Sequence, residues 1–238
     1  LTALPAVFMA ISGIFVSGGF GTALVRKPDL KEEDLSTAFY YSMGVGILCY
    51  VILFIASPWI ADFYNAPVLV PLMRVTALSF LYSPLGTGQG VILQRKLDFK
   101  TPTKISVICR IVSGVIGIVM AYTGYGVWAL VISGFISGIV GQVITFWAVR
   151  WFPKTGWSKE SFRYLWGYGN KMMGSFLIGT IYENIAPVII GKYFSPTQLG
   201  IYNRAQGYAK MPSQNVTGTL QGVTFPVLSQ IQDDEERL

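Results

Sequence analysis

The chain contains no histidine. That absence removes histidine-based triads, imidazole metal sites and the side chain best suited to changing charge near neutral pH. Cysteine is nearly missing too, with only Cys49 and Cys109, each inside an apolar run. Two thiols build neither a disulfide framework nor a zinc site, so both read as small hydrophobic packing residues. No ligand cluster calls for a metal or any other cofactor. Charge is also scarce. Asp, Glu, Lys and Arg make up 13% of the 238 residues, against 52% hydrophobic, where soluble domains carry about 25% charged residues. So few ionic groups cannot solvate a globule, and the expected fold is all-α, a polytopic transmembrane bundle. The formal net charge is +6. No basic patch is interleaved with stacking aromatics outside the apolar runs, so nucleic acid is not an expected partner.

What is present is a succession of apolar runs. A bilayer core about 30 Å thick needs roughly 20 apolar residues per helix. Such runs place spans near 1–25, 38–61, 68–93, 105–122, 125–149 and 172–191, with a seventh, more polar one over 199–227. The chain opens on LTALPAVFMA, already inside an apolar run, and reads as part of a longer protein. Its connections divide by charge. RKPDLKEEDLS, QRKLDFKTPTK and RWFPKTGWSKESFRYLWGYGNK hold most of the Lys and Arg, whereas DFYNAP and YTGYG hold none and KYFSPTQ holds only Lys192. This alternation matches the positive-inside bias and puts the basic connections, with the acidic tail DDEER, on the cytoplasmic side.

Within the first connection, Glu32, Glu33 and Asp34 read as solvated charge beside Lys27 and Lys31. In the third, Ser158 can cap a short amphipathic helix with Phe162, Leu165 and Trp166 on one face, lying on the membrane surface. The expected division is five spans of an N-terminal lobe over 1–150, a cytoplasmic amphipathic linker over 151–171, and two spans of a C-terminal lobe over 172–238. Gly134, Gly138 and Gly141 in the fifth span read as close packing inside the bundle.

Polar residues inside the runs carry the functional expectation. A charge at the bilayer centre costs roughly 2.5–3.5 kcal/mol, so it normally faces protein or water. Glu183 and Asn184 interrupt the sixth span, and Lys171, Ser175, Gly179 and Glu183 form one small or polar row at four-residue spacing. In the seventh, Asn203, Gly207, Lys210, Gln214, Thr217 and Gln221 follow alternating steps of four and three, one face of a helix flanked by Arg204. Such a stripe reads as the wall of a water-filled cavity; the other reading is a helix lying amphipathically on the surface. Arg74 and Arg110 either snorkel to headgroups or join Lys171, Arg204 and Lys210 around a cationic lumen. Guanidinium forks and ammonium charges bind phosphate, so this lumen suits an anionic, phosphate-bearing substrate with a hydroxyl-rich body. Glu183, Asn184, Asn203 and Gln214 are the polar or ion-coupling candidates, with Glu183 either a counter-ion or a coupling site.

The stretches SGGFGTALVRK, EEDLSTAFYYS, QRKLDFKTPTKIS, GYGVWALV, IIGKYFSPTQLGIYNRAQ and FPVLSQIQDDEERL, in this order, resemble one family. It is the polysaccharide-transport branch of the multidrug/oligosaccharidyl-lipid/polysaccharide exporter superfamily, the Wzx-type flippases. The resemblance implies twelve to fourteen helices in two pseudo-symmetric lobes, of which this chain holds the second to the eighth. It implies a multi-pass protein of the bacterial inner membrane. There it moves undecaprenyl-diphosphate-linked oligosaccharide between leaflets by alternating access, alongside polysaccharide polymerase and assembly proteins. Val16-Ser17-Gly18 against Val216-Thr217-Gly218, and EEDL at 32–35 against EERL at 235–238, give a faint repeat consistent with two lobes. The rivals are a cation-coupled drug or metabolite antiporter of the same superfamily, which favours acidic lumen groups, and a membrane-embedded enzyme, which needs clustered carboxylates or a metal. A transporter, not an enzyme, is expected.

Overall fold

The fold is taken from a computed structural model that describes residues 3–230. The DDEER tail and the EERL half of the repeat lie outside the described residues. Within them the chain is helical, with short connections and no strand. The elements are α1 (Ala3–Ser17), α2 (Phe20–Arg26), α3 (Glu32–Phe63), α4 (Leu69–Ala77), α5 (Ser79–Arg95), α6 (Lys100–Tyr122), α7 (Val127–Val149), α8 (Lys159–Tyr193) and α9 (Pro196–Gln230). Among the described residues six segments are long and apolar enough to cross a membrane: Ala6–Arg26, Glu32–Phe63, Leu69–Arg95, Lys100–Tyr122, Val127–Val149 and Lys159–Tyr193. The chain is thus an all-α, multi-pass membrane bundle. Seven spans were expected and six meet the criterion. The stretch expected as the seventh does form one helix, α9, of 35 residues. A polar residue at every third or fourth position keeps its hydropathy below that of the other six.

Two breaks divide spans without ending them. The first falls at Gly18-Gly19, both left-handed at φ +57° and +68°, a conformation that costs glycine little. A Cβ on Gly19 would lie 2.6 Å from the carbonyl of Gly169, and one on Gly169 would lie 2.6 Å from that of Gly18. The missing side chains let α8 cross the α1–α2 junction backbone to backbone. The second break, at Leu78, separates α4 from α5.

Prolines inside helices leave carbonyls four residues earlier without a backbone donor. Pro84 frees that of Phe80, and Gly46 of α3 makes room for it: a Cβ there would sit 2.5 Å from the oxygen. Pro58 frees that of Phe54, which accepts instead from the Ser57 hydroxyl at 2.8 Å.

Two helices begin earlier than the hydropathy runs. At 1.5 Å per residue, the 32 residues of α3 span about 48 Å, so its first turns stand beyond an apolar core of about 30 Å. The surface segment expected over 151–171 is extended only as far as Ser158. From Lys159 its helix runs unbroken into the sixth span as α8, 35 residues long. Ser158 does cap it, accepting from the Ser161 amide at 3.3 Å. The physical reason for the continuity is packing. Leu165 is fully buried among Phe20, Leu24 and Leu35, while Phe162 and Trp166 stack at 5.7 Å beside Tyr41. Leu165 and Phe162 thus face protein, with Trp166 at the edge of the cluster and still exposed, and these contacts hold the first turns of α8 in line with the rest.

The core falls into three layers. Phe20, Leu24, Phe39, Val91, Trp151 and Leu165 fill one end, Val16, Cys49, Leu53, Met73 and Phe80 the middle, and Ala61, Tyr64, Leu69 and Leu199 the other end. Both cysteines are free thiols. Two of the three glycines of α7 pack as expected: Gly138 faces Tyr82 of α5 and Gly141 faces Cys109 of α6, while Ser137 donates to the Cys109 carbonyl at 2.9 Å; a Cβ on Gly134 would meet nothing within 4 Å.

Candidate functional site

The three basic connections gather at one end of the bundle, tied by specific bonds. Arg95 at the end of α5 donates to the carbonyls of Leu24, Val25, Lys27 and Pro28, closing the C-terminus of α2. Trp151 donates its indole N–H to Glu32 at 2.9 Å, and Thr155 meets Ser36 at 3.0 Å. Gln142 of α7 donates to Gln89 of α5 at 3.0 Å, and Gln89 is within 3.4 Å of the Trp151 carbonyl. At the opposite, near-neutral end, Lys192 donates to the Phe63 carbonyl at 2.5 Å and stands 4.1 Å from the Phe63 ring centre. The charge alternation seen along the chain is therefore a sorting of connections between two faces in space.

One acidic residue departs from expectation. Asp34 is not solvated: it has no exposed surface and accepts from Lys27 Nζ at 2.7 and 2.8 Å and from the Lys31 amide at 2.9 Å. Burial is affordable only with this pairing, since a lone buried carboxylate is prohibitive. The seven-residue separation bridges the turn between α2 and α3, so the two partners share no helical face from which the pair can be read.

A cavity of about 790 Å³ opens between the α1–α2 junction, α5, α8 and α9. Ser17, Thr22, Thr87, Gln94, Tyr168 and Gln221 supply its polar groups. Gln221 ends the polar stripe of α9, Ser17, Thr22 and Thr87 lie inside the apolar runs, and Gln94 and Tyr168 belong to the basic connections. A second cavity, about 410 Å³ and lined by Met9, Leu72, Tyr82, Leu130 and Phe135, is nearly all apolar.

The residues expected to form the lumen are distributed as follows. Glu183 and Lys210 meet between α8 and α9 at 3.1 Å. Asn184, half-buried, turns back to the Thr180 carbonyl at 2.8 Å. Pro187 withholds the N–H that the Glu183 carbonyl would accept, so the polar break in α8 is both side chain and backbone. Asn203 is half-buried on α9, while Arg204 and Gln214 are exposed. Lys171 is exposed on α8, beside Arg26. Arg74 lies against α3, its Nε 3.1 Å from Ser57 and its guanidinium 4.0 Å from the Phe54 ring centre. It thus completes the repair of the Pro58 break. Arg110 is exposed ten residues into α6, about 15 Å along a helix with no buried residue. The structure brings Glu183 and Lys210 together, and Lys171 to the basic end. It does not bring Arg74, Arg110 and Arg204 to either cavity above.

A model of the family described as polysaccharide biosynthesis protein matches residues 1–238. The teichuronic acid biosynthesis protein TuaB of Bacillus subtilis is 30% identical over 91% of this chain and 45% of its own length. The succinoglycan biosynthesis transport protein ExoT of Rhizobium meliloti is 27% identical over 97% of this chain and 46% of its own. The lipopolysaccharide biosynthesis protein WzxC of Escherichia coli is 22% identical over the whole chain and 49% of its own. The chain thus spans about half the length of these relatives. No solved structure matches it.

Proposed function

The chain belongs to the polysaccharide biosynthesis protein family, and from that membership we propose that it is half of a flippase. In this reading the whole protein carries an undecaprenyl-diphosphate-linked oligosaccharide from the cytoplasmic to the periplasmic leaflet of a bacterial inner membrane, by alternating access. It is a transporter rather than an enzyme. The names of ExoT, a transport protein, and of TuaB and WzxC support the substrate class. The basic end faces the cytoplasm, following the positive-inside bias.

The observation that carries the reading is the Glu183–Lys210 pair. Two ionisable groups stand 3.1 Å apart on neighbouring helices, each partly exposed, at 55% and 36% of the side chain. Hydrocarbon does not accommodate exposed ions, so this seam looks onto water or onto the other half of the protein. In the resting state Glu183 neutralises Lys210. When a diphosphate arrives, the ammonium can exchange one oxyanion for another, and Glu183 is released. That exchange favours an anionic cargo over the cation antiporter reading, in which the Glu183 carboxylate would already be occupied by a protein cation.

The test is charge exchange in the full-length protein. Lys210→Glu is expected to abolish surface polysaccharide while leaving the protein in the membrane. Glu183→Lys with Lys210→Glu restores the pair but moves the cation to α8, and is expected to recover part of export. Wild-type export from Lys210→Glu would overturn the reading.

A further inference from the structure

We propose a second anion site at the basic end of the bundle, one that takes a phosphate-bearing lipid headgroup. A pocket of about 440 Å³ lies between α2 and α8, with Arg26 on one wall and Lys171, Tyr164 and Tyr168 on the other. Tyr164, Gly167, Tyr168 and Lys171 follow steps of three, one and three along α8, so a single helix face supplies that wall. Gly167 leaves the floor open, since a Cβ there would meet nothing within 4 Å.

The charges at this end have separate employments. Lys27 is engaged by buried Asp34 and stands 4.8 Å from the Tyr164 ring centre. The Arg95 guanidinium is committed to the carbonyls at the end of α2. Arg26 and Lys171 are the cations among the described residues that line the pocket, and none of those residues is acidic. Arg26 is steadied by the Tyr168 ring, 5.4 Å from the guanidinium carbon. Lys171 joins no ion pair among the described residues.

A planar fork on one wall and a point charge on the other suit the oxygens of a phosphate ester or diphosphate. Basic pockets between membrane helices at the cytoplasmic level collect anionic headgroups. Tyr168 also lines the larger cavity, so a headgroup held here lies next to that cavity. Either an anionic membrane lipid or a diphosphate-linked isoprenoid presents this chemistry.

The experiment measures binding to the full-length protein in phosphatidylcholine nanodiscs, by titration calorimetry, and needs no transport. The probes are short-chain phosphatidylglycerol, farnesyl diphosphate and inorganic pyrophosphate. We expect saturable binding of at least one probe, weakened about tenfold by Lys171→Gln and about a hundredfold by Arg26→Gln with Lys171→Gln. Arg26→Lys, which keeps the charge and loses the fork, is expected to weaken it less than Arg26→Gln, and Lys104→Gln, an exposed control on α6, is expected to leave it unchanged. Preference for phosphatidylglycerol assigns the site to membrane lipid, and preference for farnesyl diphosphate with pyrophosphate assigns it to a diphosphate cargo. If the double variant does not fold, the exposed single change Lys171→Gln carries the test. No saturable binding, or equal loss in Lys104→Gln, overturns the proposal. Because the readout is binding alone, export failing in Lys210 variants leaves this result unaffected.

Discussion

Replacing Asp34 with Asn tests whether the basic end is held by a buried ion pair. The change conserves volume and keeps an oxygen for the Lys31 amide, 2.9 Å away in the native chain. It removes the charge that meets Lys27 Nζ at 2.7 and 2.8 Å. Breaking a buried pair from one side costs about 3–5 kcal/mol. Lys27 keeps 19% of its side-chain surface, so it recovers some hydration, and the expected loss lies near the lower limit, about 3 kcal/mol. The assay is denaturant unfolding of the purified protein in detergent, followed by tryptophan fluorescence. Lys27→Met alone is expected to cost as much, since it strands the carboxylate. The double variant Lys27→Met with Asp34→Asn is expected to cost clearly less than the sum, with a coupling of about 1–2 kcal/mol. An Asp34→Asn protein within about 0.5 kcal/mol of wild type, with no coupling, would refute the reasoning.

The close crossing of α8 over the α1–α2 junction predicts that Gly169→Val destabilises by about 1–3 kcal/mol through overpacking; its Cβ would meet both the Gly18 carbonyl and the Phe20 ring at 2.6 Å. Unchanged unfolding would argue against backbone contact there. At the start of α6, the Thr101 hydroxyl at 2.6 Å and the amides of Thr101 and Lys100 hold the Asp98 carboxyl below its ordinary range. A depressed carboxyl pKa contributes order that is present above its unfolded value and lost as pH falls through the folded one. Protection of the Lys100 and Thr101 amides, relative to the intrinsic exchange rate at each pH, is therefore expected to fall on acidification below the usual carboxylate range, and Asp98→Ala should lack that protection at every pH.

Much of the architecture is readable from composition, because hydrophobic length and loop charge are both direct consequences of the bilayer. The basic connections separate from the neutral ones along the chain and again in space. The boundaries of α3 and α8 are less readable. Their first turns leave the apolar layer, so the charged stretch from Lys159 to Arg163 is the start of a helix rather than part of a connection. Leu165 and the aromatics around it keep that helix going through contacts made by residues far apart in sequence. Arg74 illustrates a different limit. An arginine early in a span looks functional by its cost, yet here its neighbour is Ser57, seventeen residues away and next to the Pro58 break. The pairing of Lys27 with Asp34 is hidden because a turn, not a helix, brings them together. Glu183 and Lys210 were each visible as anomalies. Only the packing of α8 on α9 makes them a pair.

The central claim is that the α8–α9 seam is wet, and cysteine accessibility along α9 in the full-length protein tests it most directly. With Cys49 and Cys109 replaced, single cysteines from Asn203 to Gln221 would be challenged with a membrane-impermeant thiol reagent. Reaction at Gly207, Lys210, Gln214, Thr217 and Gln221, with protection at Tyr208 and Leu220, is the predicted pattern. Uniform protection along the helix, or reactivity without helical period, would contradict it.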